Sequence, residues 1–275
     1  MIAAWVDGLP ATSLPLTDRS LHYGDGVFTT IRVHAGRACW LPEQLQRLSR
    51  DAARLGLPAP DAELLASELA TAAAQPGVGV LKVMLTRGSG PRGYSAPGCQ
   101  GRRLLFAYAP IVDDPARYRE GVRLRRCDLL LSESMALAGI KHLNRLEQVL
   151  ARAEWDDPSI DEGLLCNQAN QVIAATAANV FARFGDRWVT PPVDRSGVAG
   201  LCREAILALP QALPVARVAQ LAYADCLRAD ELWLSNALRG IVPVAWLGDH
   251  RYTEFEAARG LMRVLHPQLG LPVID

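Results

Sequence analysis

The spacing of apolar and polar positions changes several times along the chain, and each change predicts an element. Val27 to Val33 is rich in β-branched residues and is followed by Ala35-Gly36, and the run resumes from Ala38 to Leu41, which predicts a hairpin. A helix follows, because Pro42 suits a first helical turn and Leu41, Leu45, Leu48, Ala52 and Leu55 fall on one face before Gly56. A second helix, about Ala62 to Ala74, stops at Pro76-Gly77. Val78 to Thr86 and Arg103 to Ala109 read as strands separated by a glycine-rich loop. Pro110 to Pro115, with its prolines and acids, predicts a linker between a smaller domain, 1–109, and a larger one, 116–275.

The second half opens with a strand over about Gly121 to Leu130. His142 to Trp155 then reads as a helix whose apolar stripe is Leu143, Leu146, Val149, Leu150 and Ala153. Short strands are expected at Glu162 to Asn167, Gln171 to Ala175 and Ala178 to Arg183. Gly197 to Gly200 precedes a helix from Leu201 to Leu209, strands lie near Leu232 and Ile241, and a last helix starts at about Glu254. The fold class is α/β, or α+β with mixed sheets.

Composition narrows the function. With 50% hydrophobic and 21% charged residues, the 275-residue chain has the material for a full core. Its 29 basic and 29 acidic residues cancel, so the footprint of a nucleic-acid or membrane-surface binder is missing and a small molecule is the expected ligand. The six cysteines form no C-x-x-C pair and read as reduced and buried, and no metal is implied. The first residues carry neither a basic region nor a long apolar run, which predicts a cytoplasmic protein. Lysine is the informative residue: there are two, Lys82 and Lys141, so chemistry that needs a side-chain primary amine has two candidates.

Each motif has a plain alternative. Gly88 to Gly93 matches G-x-G-x-x-G, but Tyr94-Ser-Ala-Pro97-Gly98 cannot open a helix, so a dinucleotide site is not expected. The loop is instead a wall that carries Arg87, Arg92 and Tyr94, or a surface turn. Alternation puts Lys82 opposite Leu81, Val83 and Leu85, as a half-exposed strand lysine. Lys141 stands where an irregular segment meets a helix, either at a site or as a solvated first-turn lysine. Gly200 before Leu201 and Cys202 leaves backbone N–H groups for an anion, or only turns the chain. Arg47 lies off its helix's apolar stripe, as a solvated arginine would.

Six runs, in order and across almost the whole chain, resemble the fold-type IV pyridoxal-phosphate enzymes, whose fold is that of the D-amino acid aminotransferases. They are Asp18 to Arg32, Arg87 to Ser95, Ala138 to Leu150, Ala177 to Phe181, Gly197 to Arg203 and Ala229 to Leu238. Phe28-Thr29-Thr30 is similar to the aminodeoxychorismate lyase branch rather than to the aminotransferases, which tend to carry glutamate where Thr29 stands.

The resemblance implies pyridoxal 5'-phosphate in a cleft between the domains, with Lys141 as the Schiff-base lysine. Arg47, the N–H groups of Leu201 and Cys202 after Gly200, and Asn236-Ala237 would hold the phosphate. Thr29, Arg87, Arg92 and Tyr94 would meet a substrate with two carboxylates, 4-amino-4-deoxychorismate, which the branch converts to p-aminobenzoate and pyruvate. A homodimer is also implied. One position departs: the family places a glutamate five residues before Asn179, beside the pyridine nitrogen, and this chain has Ala174. Position 174 is expected beside the cofactor rather than in a dry core, so Ala174→Glu should raise turnover and leave the fold intact. The rivals are a D-amino acid or branched-chain aminotransferase on the same fold and a cofactor-binding protein with little turnover.

Overall fold

Alternation along Val27 to Val33 becomes the two faces of a strand. Val27, Thr29, Ile31 and Val33 are buried under helices, while Phe28 and Thr30 on the other face are half-buried. The computed structural model describes residues 1–58, 60–209 and 216–274, and the chain divides into two compact units. The first is Met1–Val112 with Ile140–Asn144; the second is Asp113–Gly139 with Arg145–Asp275. The return of Ile140–Asn144 to the first unit is a departure from a division by sequence, which puts Lys141 with the second half.

The first unit contains β1 (Ala3–Val6), β2 (Leu9–Pro10), α1 (Arg19–Tyr23), β3 (Gly26–His34), β4 (Arg37–Ala38), α2 (Leu41–Arg54), α3 (Ala62–Ala73), β5 (Val80–Thr86) and β6 (Arg102–Tyr108). Its sheet runs β2-β1-β6-β5-β3-β4, antiparallel throughout. The β3–β4 turn puts Ala35 and Gly36 both at positive φ, the backbone that a two-residue hairpin turn demands. The sheet's inner face packs on Leu48 and Ala52 of α2 and on Leu65 and Leu69 of α3, and Ile140 joins that core.

The second unit contains α4 (Pro115–Arg119), β7 (Val122–Leu131), α5 (Leu146–Arg152), β8 (Glu162–Asn167), β9 (Val172–Ala175), β10 (Asn179–Phe184), β11 (Arg187–Thr190), α6 (Leu201–Leu207), β12 (Ala216–Val218), α7 (Tyr223–Cys226), β13 (Glu231–Asn236), β14 (Gly240–Leu247), β15 (His250–Arg251) and α8 (Glu256–Leu269). Its nine-stranded sheet is mixed: β7 lies parallel to both β8 and β14, and most other neighbours are antiparallel. The mixed α/β class read from the sequence is therefore the observed one. The short elements α4, β11, β12, α7 and β15 lack a periodic signal and were not anticipated.

The helix expected over His142 to Trp155 is shorter. His142 bridges Val27, and the N–H of Leu143 donates to the carbonyl of Gly26 at 2.9 Å, so strand pairing claims the residues that should have opened the helix. What remains, α5, leaves the expected apolar stripe outside: Leu146, Val149 and Leu150 are 74%, 60% and 60% exposed.

Candidate active site

Lys141 is held through its backbone. Its N–H donates to Oδ2 of Asp51 on α2 at 2.9 Å, and its carbonyl accepts the N–H of Phe28 on β3 at 2.9 Å. Nζ then lies 4.5 Å from the centroid of the Phe28 ring, within cation–π range. Lys141 is thus neither on the solvated first turn of a helix nor adrift in a loop. It sits in an extended segment clamped by a helix and a strand, five residues before α5 begins. Lys82 is half-buried on the sheet face opposite the core, as alternation requires, and its Nζ is 5.0 Å from the same ring.

Arg47 is not the solvated residue that its position on the helix suggests. Only 5% exposed, it donates through Nη2 to Thr29 Oγ1 and, at 3.2 Å, to Gln44 Oε1, while Thr29 donates to Gln44. Thr29, expected at the substrate, is thereby placed with Arg47 on the inner face of β3. Sequence reasoning missed Phe28, Gln44 and Asp51. A signal was present in Gln44, Leu48 and Asp51, which fall at i, i+4 and i+7, so polar residues share the buried face of α2.

The glycine-rich loop joins β5 to β6 with no helix after it, as its sequence predicts. Arg19 pins it, donating from Nη1 to the carbonyl of Gly93 at 2.8 Å and from Nη2 to that of Tyr94 at 3.1 Å. Arg87, expected at the substrate, bonds Asp25 at 2.8 Å and the carbonyls of Gly56 and Leu55 at 2.7 and 2.8 Å, closing the end of α2. Arg92 and Tyr94 are exposed, with the Tyr94 ring 5.6 Å from that of Tyr23. The structure therefore separates the four substrate candidates: Thr29 buried with Arg47, Arg87 in an ion-pair network, Arg92 and Tyr94 on the loop surface.

Burial works to raise the Asp25 carboxyl, but hydrogen bonds from Arg87 and Arg19 outweigh it and hold the group below its ordinary value. A depressed folded pKa contributes stability above the unfolded value of about 4, lost as pH falls through the folded one. Arg87→Gln should bring the two values together and flatten the fall in stability between roughly pH 5 and 3. Urea unfolding at a series of pH values measures this, and an unchanged acid slope would contradict it.

In the second unit α6 opens at Gly200 with no side chain capping its first N–H groups. Gly200 is required there: a Cβ would come within 2.2 Å of Asn179 Oδ1, and Asn179 Nδ2 fixes the preceding loop by donating to the carbonyl of Val198 at 2.9 Å. Leu201 and Cys202 are buried, and burial pushes the Cys202 thiol up to about 12, so its backbone and not its sulfur is available for chemistry at neutral pH. Asn236 Oδ1 accepts the N–H groups of Leu238 and Arg239 at 3.0 and 2.8 Å and so shapes the β13–β14 turn that carries Ala237.

Position 174 corrects an expectation. Ala174, paired with Leu165 across β8 and β9, is 8% exposed within an apolar cluster that includes Cys127, Leu131, Leu165 and Ile173. A carboxylate at this position would meet apolar side chains, so the premise that the site is not dry fails.

Residues 26–247 match the family model for amino-transferase class IV. The chain belongs to this family. It is 36% identical to the aminodeoxychorismate lyase of Vibrio harveyi over 88% of its own length and 90% of that protein's. The crystal structure of 4-amino-4-deoxychorismate lyase from Pseudomonas aeruginosa superposes with a TM-score of 0.92 at 38% identity, covering 96% of this chain and 98% of that one. A hypothetical aminotransferase from Mycobacterium tuberculosis, in its PLP-bound form, shares the fold with a TM-score of 0.84 at 20% identity, covering 97% and 98% of the two chains.

The family is dependent on pyridoxal phosphate. In the first unit, Lys141 presents the fixed primary amine that such a group requires; in the second, α6 starts without a side-chain cap.

Proposed function

We propose that the protein is a pyridoxal-phosphate lyase that converts 4-amino-4-deoxychorismate to p-aminobenzoate and pyruvate. The observation that carries the reading is the fixing of Lys141, one of two lysines, over Phe28 in a chain whose similarity to the lyases covers nearly its full length. Lys141 is assigned to the cofactor's amine linkage, and Arg47, Gly200, Leu201, Cys202, Asn236 and Ala237 to its phosphate. When bound, the cofactor supplies a sink for an electron pair released at the carbon that bears the substrate's nitrogen. Lys141 holds the cofactor through its amine and, once released, takes the proton from that carbon. Loss of the enolpyruvyl group as pyruvate leaves an aromatic ring, which makes the reaction downhill.

The test supplies 4-amino-4-deoxychorismate with no keto acid. Pyruvate and p-aminobenzoate should appear together in equal amounts. Amino transfer that requires an added keto acid would favour the aminotransferase reading, and bound cofactor with neither product would favour a low-turnover binder, for which Ala174 is the supporting observation.

Arg47→Ala is expected to weaken cofactor binding about ten- to a hundredfold, the range of one charge-assisted hydrogen bond. It should also lower stability, because Thr29 and Gln44 lose their buried partner. Fluorescence titration of the apoprotein and urea unfolding measure the two effects. Unchanged cofactor affinity with lowered stability would leave Arg47 a purely structural residue.

The homodimer implied by the resemblance is part of the proposal, and the exposed stripe Leu146, Val149 and Leu150 on α5 is the surface assigned to it. Val149→Glu should shift the protein from dimer to monomer in sedimentation equilibrium. An unaltered dimer would move the contact elsewhere.

Among the described residues, no helix is long and apolar enough to cross a membrane. For localisation, the proposal keeps the cytoplasm.

A further inference from the structure

The two lysines of the chain stand over one aromatic ring. Lys141 Nζ is 4.5 Å and Lys82 Nζ 5.0 Å from the centroid of Phe28, so the amines lie no farther apart than the sum of these distances, 9.5 Å. Their positions are set by the backbone: Lys82 pairs with Thr30 across β3 and β5, on the same sheet face as Phe28, and Lys141 is tied to Phe28 by its carbonyl. Among the described residues no carboxylate pairs with Lys82. We propose that Lys82 is a positioning residue for Lys141: the two amines titrate as a coupled pair over Phe28, and the charge on Lys82 lowers the pH at which Lys141 loses its proton.

A ring face attracts each ammonium singly, which explains why both gather there. Two cations this close in a half-buried setting repel, by an amount that corresponds to about one pKa unit at an intermediate effective dielectric. Burial separately pulls the Lys82 amine below its ordinary value. Protons therefore leave the pair in two linked steps. A lysine beside a second cation loses its charge more readily and becomes the better nucleophile at neutral pH.

Other charged groups around the pair are engaged elsewhere or common to every arm of the test. From α2, Asp51 accepts the Lys141 backbone N–H and pairs with Arg50, and Arg47 bonds Thr29 and Gln44. Asp25, preceding β3, is held by Arg19 and Arg87. On Lys82's own sheet face, Arg32 of β3 and Tyr108 of β6 both register with Val80, two positions along β5, and His142 follows Lys141 in sequence.

The functional consequence rests on the reading of Lys141 as the cofactor lysine, but the coupling does not, so it is measured in the full-length protein freed of cofactor. Reductive methylation with carbon-13 labels the two lysines, and their side-chain resonances are followed by NMR against pH. Lys141 should titrate below an ordinary lysine, about one unit higher in Lys82→Met, and still low in Lys82→Arg, which keeps the charge. Linkage requires the reverse effect at equal size: Lys82 should rise by the same amount in Lys141→Met. A Lys141 titration identical in wild type and Lys82→Met, or identical in the Met and Arg variants, overturns the coupling. Should Lys82→Met fail to fold, an unshifted Lys82 in Lys141→Met overturns it equally. If the coupling is found but borohydride reduction places no cofactor on Lys141, the electrostatics stand and the functional reading falls.

Discussion

Lys141→Ala is expected to lower lyase turnover by about 10⁴-fold or more, the upper range for loss of a general base, while leaving the fold in place. The structure separates the two effects. What the fold uses of Lys141 is its backbone, the N–H to Asp51 and the carbonyl to Phe28, and alanine keeps both. The loss from the folded state includes the cation–π contact with Phe28, roughly 0.5–1 kcal/mol at a partly exposed site. Turnover is measured by pyruvate release, stability by urea unfolding. Activity within tenfold of wild type would remove Lys141 from the reaction, and unfolding of the variant would mean that the amine itself is structural.

The second large effect is at position 174. Ala174→Glu is expected to destabilise the protein by about 3 kcal/mol or more, because it brings a carboxyl group into apolar surroundings with no partner. By the size scaling for proteins of this class, that is about 6–12 °C in Tm. The pH dependence has a definite sign. Desolvation raises the folded pKa of the new carboxyl above its unfolded value of about 4.3, so the variant's deficit is smallest below that pH and grows as the pH rises toward the folded value. Turnover should not rise. Thermal unfolding at several pH values checks this. A deficit independent of pH, together with faster turnover, would show that the glutamate finds the cofactor's ring nitrogen after all.

How far the sequence could be read depended on whether the deciding contact was local. The hairpin at Ala35-Gly36 and the two helices after it follow from turn chemistry and periodicity within a few residues, and they are where they were expected. The assignment of Lys141 came from a contiguous motif. The length of its helix did not, because the residues that cut it short, Gly26 and Val27, lie more than a hundred positions earlier. The burial of Arg47 and the partners of Arg87 escaped the sequence for the same reason: Thr29 lies on β3 and Arg47 on α2, and Asp25, Leu55 and Gly56 are distant in sequence from Arg87. Ala174 shows a further limit. Its departure from the family pattern was visible in the sequence, yet the apolar cluster around it draws on β7, β8 and β9 and appears only in the fold.

The measurement that tests the account most directly is borohydride reduction of the protein loaded with pyridoxal phosphate, followed by peptide mapping. With two lysines over one ring, the result discriminates sharply. The account predicts the pyridoxyl label on Lys141 alone. A label on Lys82, or on neither lysine, would contradict it.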